Sequence, residues 1–318
     1  MLQRAGLAAA VILLAAFVLG GASCAHQPVG AQSPDGRADR IQALPPPEEG
    51  ALRVMSFNIR YDNSGDGDDR WAKRRDAVAA TIARHKVDVA GLQEALSQQI
   101  DDLAERLPDY AWYGVGRDDG QQRGEFVPIF YRKDRFELLS KGQFWLSESP
   151  ETPGSRSWDA AITRLVTWVE LRDKARDVTF FAFNTHFDHL GDRARFHSAE
   201  LVRERIPMIA GEAPAVLTGD LNCVAKSAPY RALTEAAGDG DGDVRPTLLD
   251  ARKVCLTEPV GPDSTWNAFR EIEPGRTIDY VFVTAGWKVP LHAVLDERAG
   301  GRFVSDHLPV LADVAPAK

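Results

Sequence analysis

Six separated segments pair an apolar, strand-like run with side chains able to hold a proton or a cation. "MSFNIR" carries Asn58, "VAGLQEA" carries Glu94, and "FFAFNTHFDH" carries Asn184, His186 and Asp188. "AVLTGDLNC" follows with Asp220 and Asn222, "GRTIDYVFV" with Asp279, and "FVSDHLPVL" with Asp306 and His307. Each alone has a plain structural reading: an Asn after a strand makes an Asx turn, and a His in an apolar run is a satisfied core residue. A carboxylate beside an imidazole is nevertheless costly to bury unless partners or a metal compensate. Gathered at one rim, these groups would make a hard-oxygen cation site with two imidazoles beside it.

For that gathering to occur, strands must deliver the residues. Alternation and apolar runs predict strands over 52–61, 87–95, 110–116, 126–133, 136–146, 162–171, 178–188, 214–222, 277–284, 289–296 and 303–314. Helical spacing predicts helices over 72–86, 97–107, 193–210 and 227–236. Many strands interleaved with a few helices indicate one α/β domain over 51–318. On a strand, residues two apart share a face, so Asp220 should point with Asn222, and His186 with Asp188.

The chain has 318 residues and a formal charge of −8, so no global basic field would attract a polyanion. At the N-terminus, Arg4, an apolar run from Leu7 to Leu19 and then small residues follow the order of a secretory signal, assigned here to residues 1–24. "GASC" resembles a lipobox that would make Cys24 the lipidated first residue, although Gly21 stands where Leu is usual. Cleavage after Ala25 is the competing reading. Residues 25–50, rich in Pro, Gly, Ala and charge, read as a disordered tether. Cys223 and Cys255 are too few for a disulfide framework and read as a pair or as free thiols. "GDGDGDVRPTLLD" (238–250) alternates acids like a calcium loop. Val244 replaces the required Gly, Asp250 the Glu, and Pro246 interrupts it, so it reads as an acidic loop.

The ordered set "SFNIRY", "GLQEA", "NTHFDH", "TGDLN", "TIDYVFV" and "SDHLPV" resembles the endonuclease/exonuclease/phosphatase superfamily, from about Arg53 to Val314. The stretch from Gly116 to Asp159 is similar to a bacterial exported subgroup, itself distantly similar to the deadenylase branch. The resemblance implies a DNase I-like α/β fold: a four-layer sandwich of two mostly antiparallel sheets with helices outside. It also implies a phosphoesterase dependent on Mg²⁺ or Mn²⁺.

Within that expectation Glu94 is the primary metal ligand, with Asn58 beside it and Asp306 completing the shell. Asp220 would activate the attacking water, and Asn222 would orient it or bind a phosphoryl oxygen. His307 would donate to a phosphoryl oxygen or act as the acid–base group, held in its tautomer by Asp279, and His186 would donate to the phosphate from the other side. Arg117, Glu125, Trp158, Asp159 and Trp266 are candidate substrate contacts, while Asn184, Asp188 and His189 line the pocket or brace the turn. The expected partner is a phosphate ester, a small one or a lipid or inositol head group, and no stable nucleic-acid complex. The membrane would be met only through Cys24, and the chain would act as an exported monomer in the periplasm or envelope. An extracellular nuclease of the same family and a non-catalytic binding lipoprotein are the alternatives.

Overall fold

The computed structural model describes residues 44–235 and 248–317, all within one compact unit. The expected leader, the expected Cys24 site, most of the expected tether and positions 238–247 of the acidic loop lie outside the described residues. Contacts begin ahead of Leu52: Leu44 packs on the core, and the Pro45 carbonyl accepts from Arg53 Nη2 at 2.7 Å.

The first strand, β1 (Leu52–Asn58), is buried along its whole length, so both of its faces must be covered. It lies between β14 (Val310–Pro316), antiparallel, and β2 (Val89–Gln93), parallel. β11 (Trp287–Val294), β4 (Ile129–Arg132) and β3 (Tyr110–Tyr113) complete a six-stranded sheet in the order β11-β14-β1-β2-β4-β3. The second sheet runs β5 (Phe136–Trp145), β6 (Leu165–Asp173), β7 (Val178–His186), β8 (Ala215–Asp220), β10 (Asp279–Val283) and β9 (Leu249–Asp250). In it, β7 and β8 are parallel and every other pair is antiparallel. A short hairpin of β12 (Arg298–Ala299) and β13 (Arg302–Phe303) precedes β14.

Side-chain alternation sorts the apolar residues into layers. Val54, Val89, Val169, Val216 and Val281 meet between the sheets. Met55, Phe57 and Leu92, on the opposite face, meet Val78 and Ile82 of α1 (Trp71–Arg84) and Ile100 and Leu103 of α2 (Ser97–Arg106). Phe183 and Leu217 meet Val202 and Ile206 of α3 (Asp192–Ala210) and Leu233 of α4 (Ala228–Thr234). The result is the four-layer sandwich, helices outside two sheets.

Near one end the sheets touch through polar groups. A Cβ on Gly91 of β2 would sit 1.9 Å from Thr218 Oγ1 and 2.7 Å from the Asn184 amide, so only glycine allows this approach. Asn184 Nδ2 donates to the carbonyls of Leu92 at 2.7 Å and Pro128 at 3.0 Å, and its Oδ1 accepts from Gln93 Nε2 at 2.7 Å. That bracket fixes the spacing of the two sheets directly beneath their shared rim.

Candidate active site

Strand direction explains why one rim collects the polar residues. β1, β2, β7 and β8 all end there, bringing Asn58, Glu94 (one residue past β2), His186 and Asp220. β10 runs the other way and begins there, with Asp279 directly opposite Asp220. β14 also begins there, although not where alternation predicts. Pro309 has no N–H for the ladder, so pairing starts at Val310. Asp306 and His307 lie in the turn before it, where the Asp306 carbonyl accepts from the N–H groups of Asn267 and Ala268. Their burial follows from that turn and not from a strand.

Asp220 is the centre of the arrangement. Its Oδ2 accepts from Asn58 Nδ2 at 3.0 Å and lies 3.4 Å from His186 Nε2 and 3.8 Å from His307 Nε2. Its Oδ1 accepts the Asn222 N–H at 2.8 Å. Burial, then the nearby Asp279 charge, pushes the Asp220 carboxyl up to about 7, against the pull of His307. His307 is backed by Asp279, whose Oδ2 is 2.8 Å from Nδ1. Burial opposes charge on His307, but Asp279, Asp220 and Asp306 outweigh it and push the imidazolium up to about 10. His186 goes the other way: burial, then Arg164 and Arg117, hold it well below its usual range, so it is neutral. It accepts at Nε2 from Asn222 Nδ2 at 3.0 Å. Two imidazoles on one carboxylate are thus set in opposite protonation states.

The second half of the rim is carboxylate-rich. Asn58 Nδ2 also donates to Glu94 Oε1 at 3.1 Å, while its Oδ1 accepts the Arg60 N–H at 3.0 Å. Asn58 is therefore a bracket between Glu94 and Asp220, and ligation of a metal would use the remaining lone pair of Oδ1. Arg60 lies 3.9 Å from Glu94 and 3.8 Å from Asp306, beyond hydrogen-bond length, and is tethered instead to Asp66 at 3.1 and 3.2 Å. Burial and Glu94 raise the Asp306 carboxyl, against His307 and Arg60. Two carboxylates facing a cation that they do not bond fit a hard divalent ion. Asp220, Asp279 and His307 also have ligand atoms within 4.8 Å of one another and could hold a metal. His307 Nδ1 is engaged by Asp279, whose Oδ1 has no partner among the described residues. Glu94 accepts one bond at each oxygen, from Asn58 Nδ2 and from the Tyr61 N–H, and so keeps a lone pair on each for an ion.

Asn222 reaches the site for a different reason from the one strand periodicity predicts. β8 stops at Asp220, and Asn222 turns through φ 48°, a left-handed conformation that Asn tolerates. Asp188 does not point with His186: its oxygens accept the N–H groups of Ala161, Ile162, Leu190 and Gly191, bracing loops. Asn184 lies below the site, between the sheets. Asp159 caps α3 by accepting from Ala194 N–H at 2.7 Å, and Trp158 stacks on His197 at 5.1 Å. Arg117 pairs with Glu125 at 2.6 Å, beside the buried Arg164. Trp266 meets His307 edge-on at 4.7 Å. Cys223 and Cys255 are both free.

Arg60 and Arg164 are site residues that the sequence reading does not single out. Their signals are visible in retrospect: Arg60 lies two residues beyond Asn58, and Arg164 opens the apolar strand "RLVTWV".

A buried carboxylate held between two histidines, at the mouth of a double-sheet sandwich, defines a class of hydrolytic site. The chain belongs to the endonuclease/exonuclease/phosphatase family, whose profile matches residues 55–307. Members are hydrolases of phosphoester bonds that use divalent metals. A family member from Bacteroides vulgatus is 40% identical with a TM-score of 0.78, over 84% of this chain and 99% of its own. A mannosyl-6-phosphatase from Bacteroides thetaiotaomicron is 35% identical with a TM-score of 0.74, over 83% and 99%. The catalytic domain of human Nocturnin has a TM-score of 0.63 and 18% identity over 85% of this chain and 94% of its own, a likeness of fold.

Proposed function

We propose that this chain is an exported, divalent-metal-dependent phosphoesterase that hydrolyses small phosphate esters. The observation that carries it is Asp220, pushed up to about 7 and placed 3.4 Å from a neutral His186 and 3.8 Å from a charged His307. Hydrolysis needs a base for the attacking water, donors to the phosphoryl oxygens and an acid for the leaving oxygen. Asp220 takes the water's proton. Asn222 Nδ2, which donates to His186 Nε2 at 3.0 Å and to the Phe187 carbonyl at 3.1 Å, holds the His186 ring in place, and neutral His186 carries the remaining donor at Nδ1. His307, charged through Asp279, gives its proton to the leaving alkoxide.

Glu94 and Asp306, with Asn58 between Glu94 and Asp220, would hold the metal. Oxygen donors of this kind favour Mg²⁺, with Mn²⁺ as a substitute. When bound, such an ion neutralises charge on the phosphoryl and leaving oxygens. The residues keep the attacking and leaving sides supplied with opposite proton roles.

The mannosyl-6-phosphatase relative supports a small ester as substrate, and the acidic charge balance counts against a long polyanion. The charged, apolar and small-residue order of the first 24 residues supports export to the periplasm or envelope, with Cys24 as a lipid attachment site. A monomer is the working state.

The test is a metal-dependent screen with Asp220→Asn as the blank. It sets p-nitrophenyl phosphate and its diester against sugar phosphates, plasmid DNA, RNA, phosphoinositides and sphingomyelin. Metal-dependent cleavage of a small ester is the expected result. Cleavage of DNA or RNA alone would establish a nuclease instead, and no cleavage at any metal concentration would favour a binding protein.

A further inference from the structure

A cleft of about 760 Å³ is lined in part by Asn222. Its size lies within the usual range for small-molecule sites. One wall carries Asp192 and Arg195 from the start of α3, paired to each other. A further part of the lining carries Glu273 and Arg276, paired at 2.8 Å. Arg195 is further fixed by donating to the Asp188 carbonyl at 2.8 Å. Arg276 lies over the Trp266 ring at 4.8 Å, and that ring meets His307 edge-on. The cleft therefore adjoins the catalytic groups: its lining residue Asn222 contacts His186, and its lining residue Arg276 reaches His307 through Trp266.

The geometry points to this cleft as the subsite for the alcohol part of the phosphoester, and to that alcohol as an uncharged polyol, a sugar or a cyclitol. This rests on the phosphoesterase reading above. The wall charges cancel as two carboxylate–guanidinium pairs, so the cleft offers no net field for a second phosphate or a nucleic-acid strand. Each pair instead places acceptors beside donors, which matches a hydroxyl group that does both. Pro229 and Pro274 add apolar surface for a sugar ring's C–H face, yet the charged walls exclude an acyl chain.

The experiment compares wild type with the double variant Asp192→Asn, Glu273→Gln and with Val224→Trp, which puts a large ring on the lining of the cleft. The substrates are mannose 6-phosphate, myo-inositol 1-phosphate, an inositol bisphosphate and p-nitrophenyl phosphate. The KM for the preferred polyol monophosphate should rise at least tenfold in both variants, with kcat/KM for p-nitrophenyl phosphate within twofold of wild type. Whichever of the sugar and the inositol ester shows the larger rise identifies the source of the polyol. Equal constants in all three proteins, or a preference for the bisphosphate, would overturn the inference while leaving the hydrolase standing. Should no ester be cleaved, calorimetry of mannose 6-phosphate and myo-inositol 1-phosphate with the intact protein decides. Binding weakened by the cleft variants supports the subsite, and binding that is absent or unchanged overturns it.

Discussion

The two ends of the sandwich both bury charges, and they treat them differently. At the end away from the site, Arg53 makes a two-pronged pair with Asp313 at 2.7 and 2.8 Å. Arg135 bonds Asp88 at 2.7 Å and Asp173 at 2.9 Å, joining one sheet to the other. At the active end His307 pairs tightly with Asp279 at 2.8 Å and Arg60 with Asp66 at 3.1 Å, but the contacts to Glu94, Asp306 and Asp220 stand off: Arg60 at 3.8 and 3.9 Å, His307 at 3.8 Å and His186 at 3.4 Å. Asp279 Oδ1 and His186 Nδ1 are buried with no partner among the described residues. A closed network holds a fold together, whereas an open one keeps donors and acceptors for something that arrives. The same residue types thus serve structure at one rim and chemistry at the other.

That contrast breaks most sharply if the two rims are cut separately. His307→Ala and Asp220→Asn should each lower kcat by roughly 10²–10⁴, the usual worth of an acid or base, with urea unfolding midpoints close to wild type. Turnover near normal in either variant would remove the role given to that residue. Arg53→Met should do the opposite. It leaves Asp313 buried without its cation, at a cost of about 3–5 kcal/mol of stability, while kcat measured below the melting temperature stays within twofold. A loss of turnover without a loss of stability would mean that the closed rim is not merely structural.

A smaller effect sharpens the metal side. Glu94→Gln should raise the Mg²⁺ concentration for half-maximal activity by roughly tenfold or more, since even outer-shell changes cost that much. An unchanged metal titration would argue against ligation by Glu94. Chelation should abolish turnover in the wild type.

The smallest effect comes from neither rim. His292 is buried in β11, and burial, then Arg252, push it down to about 3. Its folded pKa lies below the unfolded value near 6.5, so the unfolded chain binds more protons between the two and stability falls as pH drops through that window. One pH unit into the window, near 5.5, the difference is about 1.4 kcal/mol. Urea unfolding at pH 5.5 and 7.5 should show His292→Leu losing less stability on acidification than wild type.

Much of the fold was legible locally. The apolar run of β1 and the helical spacing of α1 and α3 appear in the sequence because periodicity is a short-range property. Two local readings misplace the cause of a correct neighbourhood. Asn222 and His307 are expected on strands and are delivered by turns, since a left-handed residue ends one ladder sooner, and Pro309 starts the other later, than alternation suggests. Arg60 and Arg164 escaped notice because an arginine at a strand end is ordinarily a solvated one, and only burial shows otherwise.

The sequence by itself determined the chemical inventory: carboxylates, amides and imidazoles attached to strand-like runs, and a family pattern to which they conform. The tertiary structure alone decided how they meet. Asn58 and Asp220 are 162 residues apart yet lie 3.0 Å from one another across two sheets. Distances of that kind, and with them the opposite protonation of His186 and His307, depend on burial and on neighbours remote in the chain, which no local pattern encodes.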